Sequence, residues 1–372
     1  MDHSLQSLMA RTGSFPLSVP AEAIERLCKS KSIVFDPFCG KGTTLLAAKI
    51  LGHEAYGMDV APEAVICSLA KVVHVEPGDI EAYVSSLPDP QASIENVPDS
   101  VRVFFNDVTL GRVISVRDRL LSDMLSGEEA MRSKATFVLG CLLGILHGHS
   151  SFSLSLPCSH AYSMSPGYVA KYARDHGLQP PVRDVKACLL AKARRCLRDL
   201  IPEPTLYGVR SGSALECSSV FPELVGRVDV VITSPPYLNA QTYAKDNWLR
   251  MWLLNVDRRD GRSRYIETGS VTVYGRLMRT VFAQLSLMLR KGGYLVCVAG
   301  DVRRPARGDE EHVFRTGEYL AGLCADPEIG LEVIDTDSRA IPRARRYLNA
   351  LCRSNGHRAH DLVERTFTAQ KV

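Results

Sequence analysis

The chain has 372 residues, 45% of them hydrophobic, and a formal net charge of +4. This is enough apolar content for one large or two moderate domains with real cores, and the small charge does not by itself announce a nucleic-acid partner. The opening stretch MDHSLQSLMARTGSF lacks the continuous apolar core of a secretory signal, and the longest apolar run, FVLGCLLGIL at 137–146, is too short for a bilayer and reads as a buried helix.

The eleven cysteines are scattered without a C-x-x-C pair, which fits reduced thiols in a cytoplasm better than a disulfide framework or a zinc site. His147 and His149 have no nearby Cys or carboxylate partners, so no metal is expected there.

In chain order, KSIVFD reads as a buried strand ending at Asp36. The glycine-rich turn FDPFCGKGTT follows it. It is not a phosphate-binding P-loop: Gly42 stands where Ser or Thr would reach the magnesium, and Phe35 where the first glycine belongs. TTLLAAKILG is a helix closed by Gly52. HEAYGMDV is a second strand, ending at Asp59, where an acid can accept hydrogen bonds from both hydroxyls of a ribose. VRVFFNDV reads as a third strand, ending at Asp107. Three carboxylates around one glycine turn suit a nucleoside carrying an ammonium group better than a polyphosphate.

From about residue 110 to 225 the pattern becomes mostly helical, with DVKACLLAKARRCLRDL as an amphipathic helix between the loops GLQPPV and IPEPTLYG. VDVVITSPPY then returns to the buried-strand pattern, ending at Thr233. The helix RLMRTVFAQLSLMLRKGG and the strands GGYLVCVAGD, LEVIDT and VERTFTAQ complete the chain. The expected organisation is one α/β sheet built from residues 1–110 and 226–372, interrupted by an insert at 111–225. Arg339, Arg343, Arg345, Arg346, Arg353 and Arg358 occur with no carboxylate between Arg339 and Arg358, and RRDGRSRY and KARRCLR are further basic clusters. Such runs are either solvated faces or surfaces that track phosphates.

Ser234-Pro235-Pro236-Tyr237 follows the strand end directly. Two consecutive prolines hold a rigid, extended turn with carbonyls pointing outward. The Ser234 hydroxyl and the Pro235 carbonyl can together accept two hydrogen bonds from one amino group, and the Tyr237 ring offers a face for a base.

This motif resembles the [DNS]-P-P-[YFW] motif of the S-adenosylmethionine-dependent DNA amino-methyltransferases, and DPFCGKGTT resembles their D-P-F-x-G-x-G-T-T. The resemblance covers most of the chain and implies a Rossmann-like seven-stranded methyltransferase sheet with a mostly helical, inserted target-recognition region. It assigns cofactor contacts to Ser14 and Phe15 in the segment SFPLSVPAEAIERL, to Asp36, Pro37, Phe38, Cys39, Gly40, Gly42, Thr43 and Thr44, and to Asp59, Val60, Asp107 and Ser234. Ser234, Pro235, Pro236 and Tyr237 become the catalytic residues, with Arg339, Arg343, Arg345 and Arg346 on the DNA. Serine in the first position usually accompanies cytosine N4 as the target, and Asp or Asn accompanies adenine N6. The implied partners are double-stranded DNA and a cognate restriction endonuclease, with a cytoplasmic monomer or homodimer and no membrane. Two departures stand out: Lys41 replaces the usual Ser or Thr, and the cofactor motif comes first, whereas serine-type enzymes more often place the catalytic motif first.

Rival readings rest on other motifs. Cys158 in LPCSH with Glu95 in SIENVP matches the residue types of carbon-5 cytosine methylation, but in the wrong order. A guanine-N2 RNA methyltransferase and a non-catalytic DNA-binding subunit are the remaining alternatives.

Overall fold

The computed structural model describes residues 2–10, 14–148, 150–158, 164–199, 205–238, 246–256, 266, 268–304, 312–340 and 363–372. Its centre is a seven-stranded sheet of β1 (Ile33–Asp36), β2 (Glu54–Asp59), β3 (Tyr207–Ser211), β4 (Val228–Thr233), β5 (Leu289–Gly300), β8 (Leu331–Ala340) and β9 (Val363–Lys371), with β6 (Val302–Arg304) and β7 (His312–Phe314) as a separate antiparallel pair. The spatial order is β3-β2-β1-β4-β5-β9-β8. β9 is antiparallel to both β5 and β8, and the other neighbouring strands run parallel. This is the expected Rossmann-like seven-stranded sheet.

The strand sequences IVFD and VDVVIT lack a polar face because both faces are covered. Val34, Val230 and Ile232 join one core, and Phe35, Val228 and Val231 the other. On the first face pack α1 (Ser18–Leu27), α2 (Thr43–Ile50), α3 (Pro62–Val72), α4 (Pro77–Ser86), α5 (Asp99–Arg102), α6 (Asp107–Asp123), α7 (Glu129–Ile145), α8 (Pro166–Asp175) and α9 (Val185–Cys196). The second carries α10 (Cys217–Val220), α12 (Val271–Met288) and α13 (Thr316–Cys324), and between α10 and α12 in the chain comes α11 (Trp248–Leu253), which packs on the first core. The apolar run at 137–146 is the buried part of α7, as expected.

The segment 101–108 is not a strand. Asn106 accepts from the Val108 N–H at 3.0 Å and caps α6, so Asp107 opens a helix, while Phe104 and Phe105 are buried in the helical layer. The third strand of the sheet is instead β3, which pairs Asp59 with Ser211 and lies inside the stretch read as the insert. The helical excursion therefore runs from α3 to α9, between β2 and β3, and its core is continuous with that of the sheet face.

The first residues are woven into this layer. Ser4 donates its N–H to Asp199 and its hydroxyl to the Cys196 carbonyl at 2.8 Å; Lys71 Nζ donates to Gln6 Oε1, and Lys192 Nζ to the Ser7 carbonyl. Lys192 and Lys71 are thus buried. The basic face expected along α9 is correspondingly reduced, since Arg194 pairs with Glu81 and Arg198 with Asp199.

Candidate active site

The chain moves outward from β1 through β2 to β3, then restarts at β4 on the other side of β1. That reversal makes the carboxyl ends of β1 and β4 the topological switch point, where open α/β sheets bind ligands. Both conspicuous motifs of the sequence begin there. Thr233, the last residue of β4, donates its hydroxyl to Asp36 Oδ1 at 2.7 Å, and Asp36 is the last residue of β1. The same oxygen accepts from the Phe38 N–H at 3.1 Å, which tightens the turn through Pro37. Thr44 donates to the Ile232 carbonyl at 3.2 Å, which ties α2 to β4 as the Thr233–Asp36 bond ties β1 to it.

Asp36 is buried, and burial pushes its carboxyl up to about 6 against the hydrogen bonds from the Thr233 hydroxyl and the Phe38 N–H; the neighbouring Asp59 charge raises it slightly more. Burial also lowers the ammonium pKa of Lys41, the residue that departs from the family pattern.

Asp59, at the end of β2, holds the glycine turn. Its Oδ2 accepts from the Gly40 N–H at 2.9 Å and its Oδ1 from the Ala61 N–H at 2.9 Å, where α3 begins. Gly42 has φ +72°, and a Cβ there would lie 2.8 Å from the Ser68 backbone, so only glycine lets the turn close onto α3. Cys39, buried, donates its N–H to the Met58 carbonyl. Thr43 Oγ1 is buried without a hydrogen-bond partner among the described residues. Val60 is partly exposed beside Asp59; Phe15 is buried and Ser14 exposed just before α1.

Asp107 does not join this group. It lies in the first turn of α6, is 61% exposed and pairs with Arg102 at 3.5 Å. The third-strand end carries Ser211 instead, followed by Gly212, whose N–H donates to the Asp59 carbonyl at 3.1 Å.

In the Ser-Pro-Pro-Tyr turn, Ser234 Oγ donates to Tyr237 Oη at 3.4 Å. The Pro236 carbonyl accepts from Tyr274 Oη at 3.0 Å, whereas no donor among the described residues reaches the Pro235 carbonyl. Tyr237 packs against the end of β5: a Cβ on Gly300 would fall 3.1 Å from its ring, so the glycine admits the close approach. Burial, with Glu364 adding negative charge, pushes the Tyr237 phenol up to about 12.

Tyr274 and Gly300 were not singled out in the sequence, and Thr233 was read only as the end of its strand, without a role of its own. Thr233 had a readable signal, a hydroxyl in the strand position immediately before the Ser-Pro-Pro-Tyr turn. The other two are brought in by β5 and α12 and leave no local trace.

Of the expected DNA contacts, Arg343, Arg345 and Arg346 lie outside the described residues, as does RRDGRSRY. Arg339 is at the end of β8 and pairs with Glu22 at 3.2 Å and Asp337 at 3.1 Å. The rival nucleophile Cys158 is buried and follows no strand, and Glu95 is exposed in a turn. Among the described residues no group of His, Cys, Asp and Glu could hold a metal, and no helix is long and apolar enough to cross a membrane.

Residues 4–70, which include β1, the glycine turn and β2, match the N6/N4 methyltransferase family model described as DNA methylase. The type II methyltransferase M.MvaI of Kocuria varians is 31% identical over 83 residues, covering 19% of this chain and 18% of that protein, so the chain matches less than a fifth of that relative. Both matches are to proteins described as methylases or methyltransferases, and the family model does not divide N6 from N4 types. Among solved structures, a protein of Thermus thermophilus described as a DNA modification methylase, in complex with S-adenosyl-L-methionine, has 19% identity and a TM-score of 0.28 over 43% of this chain and 51% of its own. The rRNA methyltransferase aviRa of Streptomyces viridochromogenes has 10% identity and a TM-score of 0.35 over 100% of this chain and 93% of its own.

Proposed function

We propose that this chain is an S-adenosyl-L-methionine-dependent DNA methyltransferase that modifies the exocyclic N4 amine of cytosine in duplex DNA. The observation that carries the reading is the 2.7 Å bond from Thr233 to Asp36, which joins the Ser-Pro-Pro-Tyr turn to the glycine turn.

The residues fit the cofactor. Two carboxylates, Asp36 and Asp59, flank a turn whose glycines leave the backbone open, and Thr43 Oγ1 is a buried hydroxyl in need of a partner. Asp36, Gly40, Gly42, Thr43 and Asp59 would hold the group, with the acids balancing its positive charge. When bound, S-adenosyl-L-methionine supplies a methyl group already activated on sulfur.

The chain's own task is the acceptor, because an amine conjugated to the base ring is a poor nucleophile. Ser234 Oγ spends its proton on Tyr237, which leaves its lone pairs to accept from one amine N–H. The Pro235 carbonyl accepts the other. These bonds draw the nitrogen toward tetrahedral geometry and stabilise the positive charge developing on it. Fixing the amine against the glycine turn adds the proximity term. The target must leave the duplex to reach this turn, and Tyr237 would stack on the extruded base. A cognate restriction endonuclease is the partner this activity would serve.

Adenine N6 is the second reading, favoured by the undivided N6/N4 family match. Either amine could use the two acceptors, and the preference for cytosine rests on the serine in the motif. Digestion of methylated DNA to nucleosides, followed by mass identification, decides between them. N4-methylcytosine is expected. N6-methyladenine would replace the target and leave the mechanism standing, and 5-methylcytosine would return attention to Cys158. Modified guanine in RNA alone would make it an RNA enzyme. Bound cofactor without turnover on any nucleic acid would leave a binding subunit.

A further inference from the structure

Adding a methyl group to an amine leaves one proton too many on the nitrogen, and the Ser-Pro-Pro-Tyr turn by itself has no group to keep it. Ser234 Oγ accepts from the amine while its own hydrogen goes to Tyr237 Oη, 3.4 Å away. Burial holds the Tyr237 phenol at about 12, so it stays protonated near neutral pH and is no base in its own right. A hydroxyl in that position can still hand its own proton on as it receives another.

The sheet sets what stands behind that hydroxyl. β5 ends at Gly300, and antiparallel β9 runs beside it with Glu364 directly opposite. The Asp301 N–H donates to the Val363 carbonyl at 3.0 Å and fixes the start of β9 there. Side chains of directly opposed residues share one face of a sheet, with Cβ atoms about 5 Å apart. The Cβ direction of Gly300 leads to Tyr237: an atom placed there would lie 3.5 Å from its Oη. Glu364 therefore projects on the face where the Tyr237 hydroxyl sits, and its negative charge raises that phenol.

The surrounding charges are held elsewhere. Arg365, the next residue, takes the opposite face and pairs with Asp301 at 3.1 Å and Glu318 at 3.2 Å. Arg339 stands opposite Glu364 on β8 and is bonded to Glu22 of α1 and to Asp337. Glu364 itself is half-buried, so it borders both the site and solvent. An acid at a strand end is ordinarily a surface charge. This one is set apart by its place behind a hydroxyl already bonded to Ser234.

We propose that Glu364 is the terminal acceptor of the proton released by methyl transfer, reached through Ser234 and Tyr237, an inference that rests on the proposed methyltransferase activity. The amine nitrogen bonds to the methyl carbon as the carbon–sulfur bond breaks, with that bond's electron pair left on sulfur. The surplus N–H proton passes to Ser234 Oγ, the Ser234 proton to Tyr237 Oη, and the Tyr237 proton to the Glu364 carboxylate, directly or across one water. The methylated amine is left neutral, both hydroxyls are restored, and Glu364 releases the proton to solvent. Glu364 touches no reacting atom; it sets the direction in which the proton leaves.

Single-turnover methyl transfer to long, unmethylated duplex DNA at saturating cofactor compares wild type with Glu364→Gln, Glu364→Asp and Tyr237→Phe. Near pH 8, Glu364→Gln should be slower by about tenfold, since water can still take the proton, and Glu364→Asp should recover part of the rate. The ratio of wild-type to Glu364→Gln rates should shrink toward one on acidification, as the wild-type carboxylate is itself protonated. Glu364→Gln combined with Tyr237→Phe should be no slower than Tyr237→Phe alone, because both cut one relay. A ratio that does not change with pH, or losses that multiply in the double variant, would overturn the relay and leave the activity standing.

Calorimetric affinity for S-adenosyl-L-methionine and the unfolding midpoint should keep their wild-type values in Glu364→Gln. A drop in either that matches the rate loss would make Glu364 a structural residue only. In the cofactor-free protein, carbon-13 NMR follows the carboxyl signal that Glu364→Gln removes. Its titration midpoint should move to higher pH in Tyr237→Phe, because a donor to the carboxylate is lost. An unmoved midpoint overturns the contact whatever the activity. A wild type that transfers no methyl group to any nucleic acid overturns the proposed activity and the relay with it, even where the titration shows the contact.

Discussion

Gly40 gives its backbone N–H to Asp59 Oδ2 at 2.9 Å, so the acid at the end of β2 shapes the turn at the end of β1. Its other oxygen serves the Ala61 N–H at the start of α3. Asp59 therefore has a structural duty besides any contact to a ribose, and its two oxygens retain lone pairs for both. Asp59→Ala should lower cofactor affinity and also cost on the order of 3 kcal/mol in stability, as two bonds to a charged acceptor are lost. Asp59→Asn, which keeps one acceptor oxygen, should cost less. Urea unfolding beside calorimetric titration separates the two effects. A fully stable Asp59→Ala protein would show that the turn holds itself.

Asp36 gives the protein a distinctive pH dependence. Its folded-state pKa of about 6 lies above the ordinary 3.8, so the folded protein retains a proton that the unfolded chain releases in between. The stability linked to this group is fully present below about pH 4 and is lost as pH rises through 6, a change of roughly 3 kcal/mol. Asp36→Asn removes the titration. The wild-type unfolding free energy, minus that of Asp36→Asn, should fall between pH 4 and 7, and a flat difference would remove Asp36 as the cause. A cationic cofactor prefers the ionised carboxylate, so its affinity should drop on acidification below pH 6.

Ser234→Ala takes one acceptor from the target amine and leaves the glycine turn alone. The single-turnover rate should fall about a hundredfold, comparable to deleting one preorganised transition-state hydrogen bond, with little change in cofactor affinity. Tyr237→Phe keeps the ring on Gly300 and removes the hydroxyl that receives the Ser234 bond, so its effect should be smaller. Tyr237→Ala should lose roughly 1–3 kcal/mol of base stacking. An equal loss in the Phe and Ala variants would assign the role of Tyr237 to its hydroxyl.

Arg339 is engaged by Glu22 and Asp337, so its charge already has partners within the chain. Replacing Arg345 and Arg346 with alanine should reduce binding on all sequences and lower the salt slope by about two, while Arg339→Ala should change little. Salt-dependent anisotropy checks this. Equal effects from all three replacements would mean that the Arg339 ion pairs open on binding.

The sheet was readable where its strands are central. IVFD and VDVVIT are covered on both faces, and that burial is written as mostly apolar sequence without a polar alternation. β3 lies at the edge, with only Val209 buried, so YGVRS carries no such signal. VRVFF did carry it, but its phenylalanines serve a helical layer, where Phe104 meets His147 and Trp248 edge-on. The Asn106 cap was the local clue that a helix begins there. Within the site, the residues of the two motifs could be named from sequence. Their mutual grip could not, because the Thr233–Asp36 and Tyr237–Gly300 contacts are made only when distant strands align.

The Thr233–Asp36 pair spans 197 residues of sequence. On the ribosome, β1 and β2 emerge early with one flank of each bare, and their remaining neighbours, β3 and β4, follow only after the whole helical excursion. Loop-closure entropy for such distant pairing must be met before the contacts reward it, which slows folding and exposes parallel edges to aggregation. The helices between β2 and β3, together with the threaded first residues, cover one face of that early pair while it waits. A nascent chain halted before β4 should therefore protect α2 and α3 from proteolysis while the glycine turn stays open.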